Sequence, residues 1–339
     1  MEVKLSDIKI TPLIDTIRKE DIDDDIYFGE EFKGYISNSR LTLINPAQDG
    51  SIAKYKAGFK KNSDYFRDGE TIHRCVLQNY YIVDNVDKPS AKLGLVIDAI
   101  WDFRLKGLTI EQSISEACKK IHYYEDKLTS KRIKSIISDG IKYYKNLKTI
   151  LDDKAIFLSE KEVVCKHCVE RLKNNRTINS LLHPSDLFDD ELPSFNEDAF
   201  FMDFLVEWND KKQVLKFKLK IDNWSIDEEN KVVILNDLKT TRLSMNQFMD
   251  FALNKYHYHR QLAIYNWILL EYCKQQYFYN EDWTNQVNII AIDKKSPYDI
   301  GVFRIKEYDL NKGLEEFYTL MKMVGYCELT EYSDDISFI

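Results

Sequence analysis

KLKIDNWSIDEENKVVILNDLKTTRLSMNQFMDFALNKYHYHRQLAIY, residues 218–265, decides how the rest of the chain reads. One apolar run ends at Asp222 and a second ends at Asp237-Leu238-Lys239, with the polar stretch SIDEEN between them. Two such runs around a polar turn read as a β-hairpin. A turn near Glu229-Asn230 sets Asp222 opposite Asp237, and facing cross-strand residues have Cβ atoms about 5 Å apart. Lys239 lies two residues beyond Asp237, so both side chains point to one face of the strand. A helix then follows in which Gln261 and Tyr265 fall four apart, on one face.

Two carboxylates and an ammonium in so small a space suit a hard cation, Mg²⁺ or Mn²⁺, and a phosphate. A metal between Asp222 and Asp237 would lower the pKa of a bound water and stabilise charge developing on phosphorus. Lys239 would hold the water or neutralise the phosphate. That chemistry is phosphodiester hydrolysis. By itself D-L-K reads as an exposed strand end with a weak salt bridge. The apolar strand before each acid and the Q-x-x-x-Y helix after them set this stretch apart.

The 339 residues are 44% hydrophobic and 13% aromatic, enough for one large domain or two modest ones with a real core. With 31% charged residues and a net charge of -8, the chain is expected to be soluble. No run is long and apolar enough for a membrane helix, and MEVKLSDIKI lacks a signal-peptide core, so a cytoplasmic location is expected. Net acidity argues against a general nucleic-acid coat protein but not against a nuclease, whose local basic surface can bind DNA. Six dispersed cysteines make no disulfide framework. Cys165-Lys166-His167-Cys168 has metal-like spacing without a second pair, and reads as helix packing.

Residues 1–35 read as a solvated acidic lead-in or lid, from the run EDIDDD. A helix starts near 36–41 with Ser37 or Asn38 as N-cap, and Pro46 stops it. Residues 65–77 read as a loop opening into a helix, with His73 beside the stripe Ile72, Val76 and Leu77. The pattern over 94–178 is helical nearly throughout. Thr109 to Gln112 gives a helix start, and lysines such as Lys131, Lys134, Lys142 and Lys145 line one face. That face is either simply wet or in contact with a DNA backbone. Residues 179–198 read as a loop. Strands are expected at 199–208, 214–221, 232–238, 287–292 and 300–304, with helices at 247–275 and 309–324 and a polar tail after them. This is a mixed α/β core with a helical N-terminal half.

The set Ile221-Asp222, Asp237-Leu238-Lys239-Thr240-Thr241 and Gln261-Leu262-Ala263-Ile264-Tyr265 resembles the PD-(D/E)XK nuclease superfamily, in its RecB-like and exonuclease VIII (RecE)-like branch. The lead-in Tyr256-His257-Tyr258-His259-Arg260 fits that branch. So do Ser39-Arg40-Leu41 and the stretch from Gly69 through His73 to Leu77. The resemblance touches residues 36–292, with 80–195 matching only as helical. It implies a restriction-endonuclease-like mixed β-sheet core flanked by helices. The organisation expected is a lead-in over 1–35, a mainly helical portion over 36–195 contributing His73, a nuclease core over 196–326 and a tail over 327–339.

The resemblance also implies roles. Asp222, Asp237 and the Leu238 carbonyl would bind metal, and His73 would be a metal or phosphate neighbour. On residues alone, that histidine reads as structural. Gln261 and Tyr265 would line the site, or pack in the core. A third acid is expected before the first strand: Glu197, with Asp203 as the runner-up. Thr240, Thr241, His259, Arg260 and Lys220 would contact nucleic acid, with His257 a further candidate. Lys218 and Lys220 depart from the family's glycine before the first acid. The missing C-terminal cysteine trio argues against an iron–sulfur cluster.

The implied function is a metal-dependent DNA exonuclease, acting at duplex ends in recombination, repair or phage DNA replication, in a bacterial or phage setting. Its partners would be DNA, a single-strand annealing or other recombination protein, and further copies of itself. An endonuclease or a flap- or RNA-directed nuclease of the same fold stays open. So does a catalytically silent DNA-binding or assembly module.

Overall fold

Runs rich in Val, Ile, Leu and Phe favour the pleated, half-buried surface of a sheet. In a computed structural model, they form a six-stranded mixed sheet. The structure describes residues 2–20, 22, 24–58, 63–84, 86–89, 91–124, 128–152, 154–158, 163–184, 192–277, 279–331 and 337–338. The strands are β1 (Lys9–Lys19), β2 (Ser194–Trp208), β3 (Lys211–Asp227), β4 (Val232–Thr241), β5 (Thr284–Asp293) and β6 (Ile300–Arg304). They lie side by side in that order. Every neighbouring pair is antiparallel except β4 and β5, which run parallel. Asn209 and Asp210, with φ of 45° and 59°, make the two-residue turn between β2 and β3. Positive φ at both central residues is what such a hairpin needs.

Four helices matter for the site: α1 (Ser63–Leu77), α2 (Met245–Asn254), α3 (Tyr258–Gln276) and α4 (Glu307–Leu329). A parallel pair of strands needs a crossover, and α2 and α3 supply it between β4 and β5. Helices α3 and α4 pack on each other and on the sheet. The core between them holds Phe204, Phe217, Trp224, Ile264, Ile268, Phe317 and Met321. Burying each such side chain contributes about 1.5–3 kcal/mol. Beside this core runs a ladder of buried amides. Asn288 Nδ2 donates to Asn236 Oδ1 at 2.9 Å, and Asn236 Nδ2 to Asn223 Oδ1 at 2.8 Å. Asn223 and Asn236 also donate to the Leu182 and Leu181 carbonyls, which ties the helix Arg176–Leu182 to the sheet.

The chain divides into two compact units, 1–78 with 164–339, and 79–163. The helical stretch expected over 36–195 is therefore split between them. In the second unit, helices Ala91–Leu105, Ile110–Lys120 and Ser130–Thr149 close around Val96, Ile100, Ile114 and Ile136. Thr109 caps the second of these in a reciprocal box with Gln112. Lys131, Lys134, Lys142 and Lys145 are exposed on the third. Two four-residue strands, Tyr81–Asp84 and Ala155–Leu158, pair in parallel where the sequence reads as helix. Four residues are too few to display a strand period.

Several other expectations change. The lead-in supplies β1, an edge strand of the sheet, and Pro12 is tolerated there because an edge leaves backbone groups unpaired. The stretch 179–198 is helical to Leu182 and extended from Ser194; residues 185–191 of it lie outside the described residues. The helix expected over 247–275 is broken at 255–257. Helix α4 runs on to Leu329, and Ser337–Phe338 pairs with Glu2–Val3. Ser37 is the N-cap of the helix Asn38–Thr42, its hydroxyl accepting from the Arg40 N–H. Cys165 and Cys168 are buried in the helix Val163–Lys173, and burial pushes the Cys168 thiol up to about 11. Among the described residues, no helix is long and apolar enough to cross a membrane.

Candidate active site

The β3–β4 ladder pairs Asn223 with Asn236, so Asp222 and Asp237 stand opposite each other one step on, where the ladder ends. There the Leu238 N–H donates to Asp222 Oδ2 at 2.7 Å. On the other side, β2 and β3 pair Asn196 with Asn223 and Asp198 with Ile221. Glu197 therefore faces Asp222, and its φ of 56° takes it out of the strand conformation. Non-glycine residues held in such sparsely populated backbone regions cluster at functional sites. Helix α1 brings His73 to both acids, with Nδ1 3.8 Å from Glu197 Oε1 and 3.7 Å from Asp222 Oδ2. Gly69, one turn earlier, lets α1 approach β4: a Cβ there would meet Thr240 Oγ1 at 3.3 Å.

Asp237 is 1% exposed and has two close neighbours. Gln261 Nε2 donates to Oδ1 at 3.0 Å, and Lys239 Nζ lies 2.6 Å from Oδ2. Oδ2 is thus buried against the Lys239 ammonium as an ion pair. Burial is the largest influence on this carboxyl and raises it, Lys239 pulls it down and Asp222 pushes it up, and the balance holds it at about 6. For Lys239, burial works to lower the pKa, but Asp237 and Asp222 outweigh it and the group is held well above its ordinary value. Its ammonium also lies 5.2 Å from the Tyr258 ring centre. His73 is likewise raised, because Asp222 and Glu197 overcome burial. Tyr265 is raised by burial first, then by Tyr27, Asp237 and Asp222, so its hydroxyl stays a donor.

These residues fit a divalent cation. One ligand atom each from His73, Glu197 and Asp222 lies within 4.8 Å of the others. Asp237 stands opposite Asp222 on the neighbouring strand, and carboxylates are the ligands hard cations take. Of the two candidates for a third acid, Glu197 is at this point. Asp203 pairs with Lys216, six residues further along β2, or roughly 20 Å at the rise of a strand.

Other expected residues go elsewhere. Arg260 is fully buried; its guanidinium reaches Asn38, Thr42, Gln48 and Glu316, not the surface. His259 is 4% exposed and faces Glu316 as well. Neither can reach a DNA phosphate from these positions, which corrects the nucleic-acid contact expected of both. Thr241 is also buried, its hydroxyl accepting from the Leu243 N–H. Thr240 is half-buried beside Gly69. Lys220 is engaged by Glu197 at 3.1 Å and by Asp24 at 2.8 Å. Asp24 comes from the acidic run read as a solvated lead-in, and it also lies 3.7 Å from Arg74. No spacing in the sequence signals that pairing.

Residues 194–335 match a family described as "PDDEXK-like domain of unknown function (DUF3799)". No curated protein matches the chain. Two crystal structures are similar to it in part. A "Putative exonuclease" from Eubacterium rectale aligns with a TM-score of 0.41 and 11% identity, over 93% of this chain and 89% of that one. Rai1 from Scheffersomyces stipitis, in complex with (3'-NADP)+ and calcium ion, aligns with a TM-score of 0.23 and 10% identity, over 96% and 85%. Both scores are too low to carry an argument about this chain. The stretch that matches the family, residues 194–335, carries five of the six strands of the mixed sheet and both hairpin acids, and is similar to a PDDEXK-like domain.

Proposed function

We propose that the chain is a metal-dependent DNA exonuclease that hydrolyses phosphodiester bonds at duplex ends. The observation that supports this reading is that one ligand atom each from His73, Glu197 and Asp222 lies within 4.8 Å of the others, with Asp237 and its partner Lys239 on the strand facing Asp222. Asp222, Asp237, Glu197 and the Leu238 carbonyl would hold Mg²⁺ or Mn²⁺, with His73 as neighbour or ligand. The bound cation supplies a water of lowered pKa and neutralises charge on the phosphate.

The chain's own groups do the rest. The Leu238 N–H fixes the Asp222 carboxylate, and Gln261 fixes that of Asp237. Lys239, cationic beside Asp237, orients the attacking water and faces the phosphate. Tyr265 offers a proton-bearing hydroxyl at the same wall. Thr240 and Lys220 would contact the backbone of the bound strand, Lys220 once freed from Asp24. The setting proposed is recombination, repair or phage DNA replication in a cytoplasm, with an annealing protein and further copies of the chain as partners.

The test is incubation of linear and circular duplex DNA with Mg²⁺, for the wild type and Asp237→Ala. Loss of linear DNA only, and only with the wild type, supports the reading. Nicking of circles would reassign the enzyme to endonuclease action. Equal activity of the variant, or none with the wild type, would defeat it.

A further inference from the structure

A second cluster of metal-ligating side chains lies where α3 begins. His257 is the residue before the helix and is left-handed, with φ 53° and ψ 39°, a region that histidine tolerates better than most residues. That turn brings its Nδ1 to 2.9 Å from Glu316 Oε1 and 3.0 Å from Oε2. His259 Nε2 lies 3.1 Å from the same Oε2. The two imidazoles are 5.5 Å apart between ring centres, at 30°. Glu316 is on α4, and Gly313 one turn earlier allows the close approach: a Cβ there would meet the His259 carbonyl oxygen at 2.3 Å. One ligand atom from each of the three residues lies within 4.8 Å of the others.

Two further observations point to a ligand. His259 is 4% exposed, yet neither of its ring nitrogens has a hydrogen-bond partner. Its contact with Glu316 has the distance of a hydrogen bond without the angle. A buried polar group left so costs about 1–3 kcal/mol. Meanwhile the two oxygens of Glu316 are unequally committed. Oε1 accepts from Arg260 at 2.8 Å and from Asn45 at 2.7 Å, while Oε2 takes no such donors and lies within 3.0 Å of His257 Nδ1 and 3.1 Å of His259 Nε2. Outer partners of this kind orient a metal-ligating carboxylate.

We propose that His257, His259 and Glu316 form a second metal site, for an imidazole-preferring divalent cation of the Zn²⁺ class. The donor set excludes Mg²⁺, which prefers oxygen and keeps its waters. Two imidazoles and one carboxylate are a zinc set, with a fourth position left for water. Arg260 already neutralises Glu316, so the site offers little net charge, and only a cation bound strongly by nitrogen overcomes that. The site staples the start of α3 to α4. Gln261, which donates to Asp237, is two residues from His259, so the staple fixes the helix that orients the catalytic acid.

The test uses the full chain, stripped by chelator and then titrated with Zn²⁺ under excess Mg²⁺, with bound zinc measured by elemental analysis. The wild type and Asp237→Asn should each bind one equivalent. His257→Asn, which keeps the left-handed turn, should lose at least about tenfold in affinity. Replacing zinc with Co²⁺ should give the wild type a visible ligand-field spectrum of low coordination number, absent in His257→Asn. The Co²⁺ spectrum of the wild type decides the matter even where a variant fails to fold. No zinc bound by the wild type, zinc lost in Asp237→Asn, zinc unaffected by His257→Asn or an octahedral Co²⁺ spectrum would each overturn the proposal. None of these outcomes depends on nuclease activity.

Discussion

Glu197 and Asp222 face each other at the one gap in the β2–β3 ladder, and Glu197 occupies it with a φ of 56°. The strand gives up a rung of pairing, and takes up backbone strain of about 1–3 kcal/mol, to hold two acids together beside His73. Such an arrangement persists where the surrounding sheet fixes it. It makes the identity of the third acid testable. Glu197→Gln and Asp222→Asn are each expected to reduce metal-dependent cleavage on the order of 10²–10³-fold. Asp203→Asn, far along the same strand, should leave it unchanged. Initial rates on end-labelled duplex, with melting curves to check folding, measure this.

Lys239 opposes the effect of burial on Asp237. Burial raises this carboxyl and the ammonium pulls it down, with the balance at about 6. Lys239→Met removes a positive neighbour, which favours the neutral acid and moves the carboxyl further up. The acid limb of the pH–rate profile should therefore shift to higher pH, together with a fall in the maximal rate. An unmoved limb would mean that Asp237 does not set it.

Lys218 is 6% exposed, with its ammonium 4.4 Å from the Tyr27 ring centre and donating to the Tyr27 carbonyl at 2.6 Å. Burial, and then Arg40, push its pKa from 10.5 down to about 8. Between those values the unfolded chain binds a proton that the folded chain does not, so stability rises with pH across that window. The full effect is on the order of 3 kcal/mol. Urea unfolding of the wild type and Lys218→Met, at pH 7 and pH 10, should show the wild type gaining on the variant. A constant difference would contradict this.

Arg260 is expected to act through stability. Arg260→Met leaves Glu316 without its guanidinium and should cost about 3–5 kcal/mol in urea unfolding. Binding of DNA by the folded fraction should keep its salt dependence, since no phosphate contact is lost. A shallower salt slope would restore Arg260 to the DNA surface.

The hairpin acids were legible because two rules act locally. Strand alternation puts Asp237 and Lys239 on one face, and counting out from the turn puts Asp222 opposite Asp237; the ladder through Asn223 and Asn236 keeps that register. Glu197 was within reach of the same count. Arg260 misled because its neutraliser, Glu316, is 56 residues away, and nothing nearby in the sequence marks a basic residue as buried. For β1 the obscuring feature was Pro12, together with polar residues that an edge strand can carry and a central one cannot. Asp24 joined the site by a pairing with Lys220 across 196 residues, and only the folded chain contains it.

Anomalous diffraction from crystals soaked in Mn²⁺ locates the cation proposed among Asp222, Asp237 and Glu197. A manganese peak is expected in contact with Asp222, Asp237 and the Leu238 carbonyl, with Glu197 or His73 beside it. Saturating Mn²⁺ with no peak at those residues would contradict it.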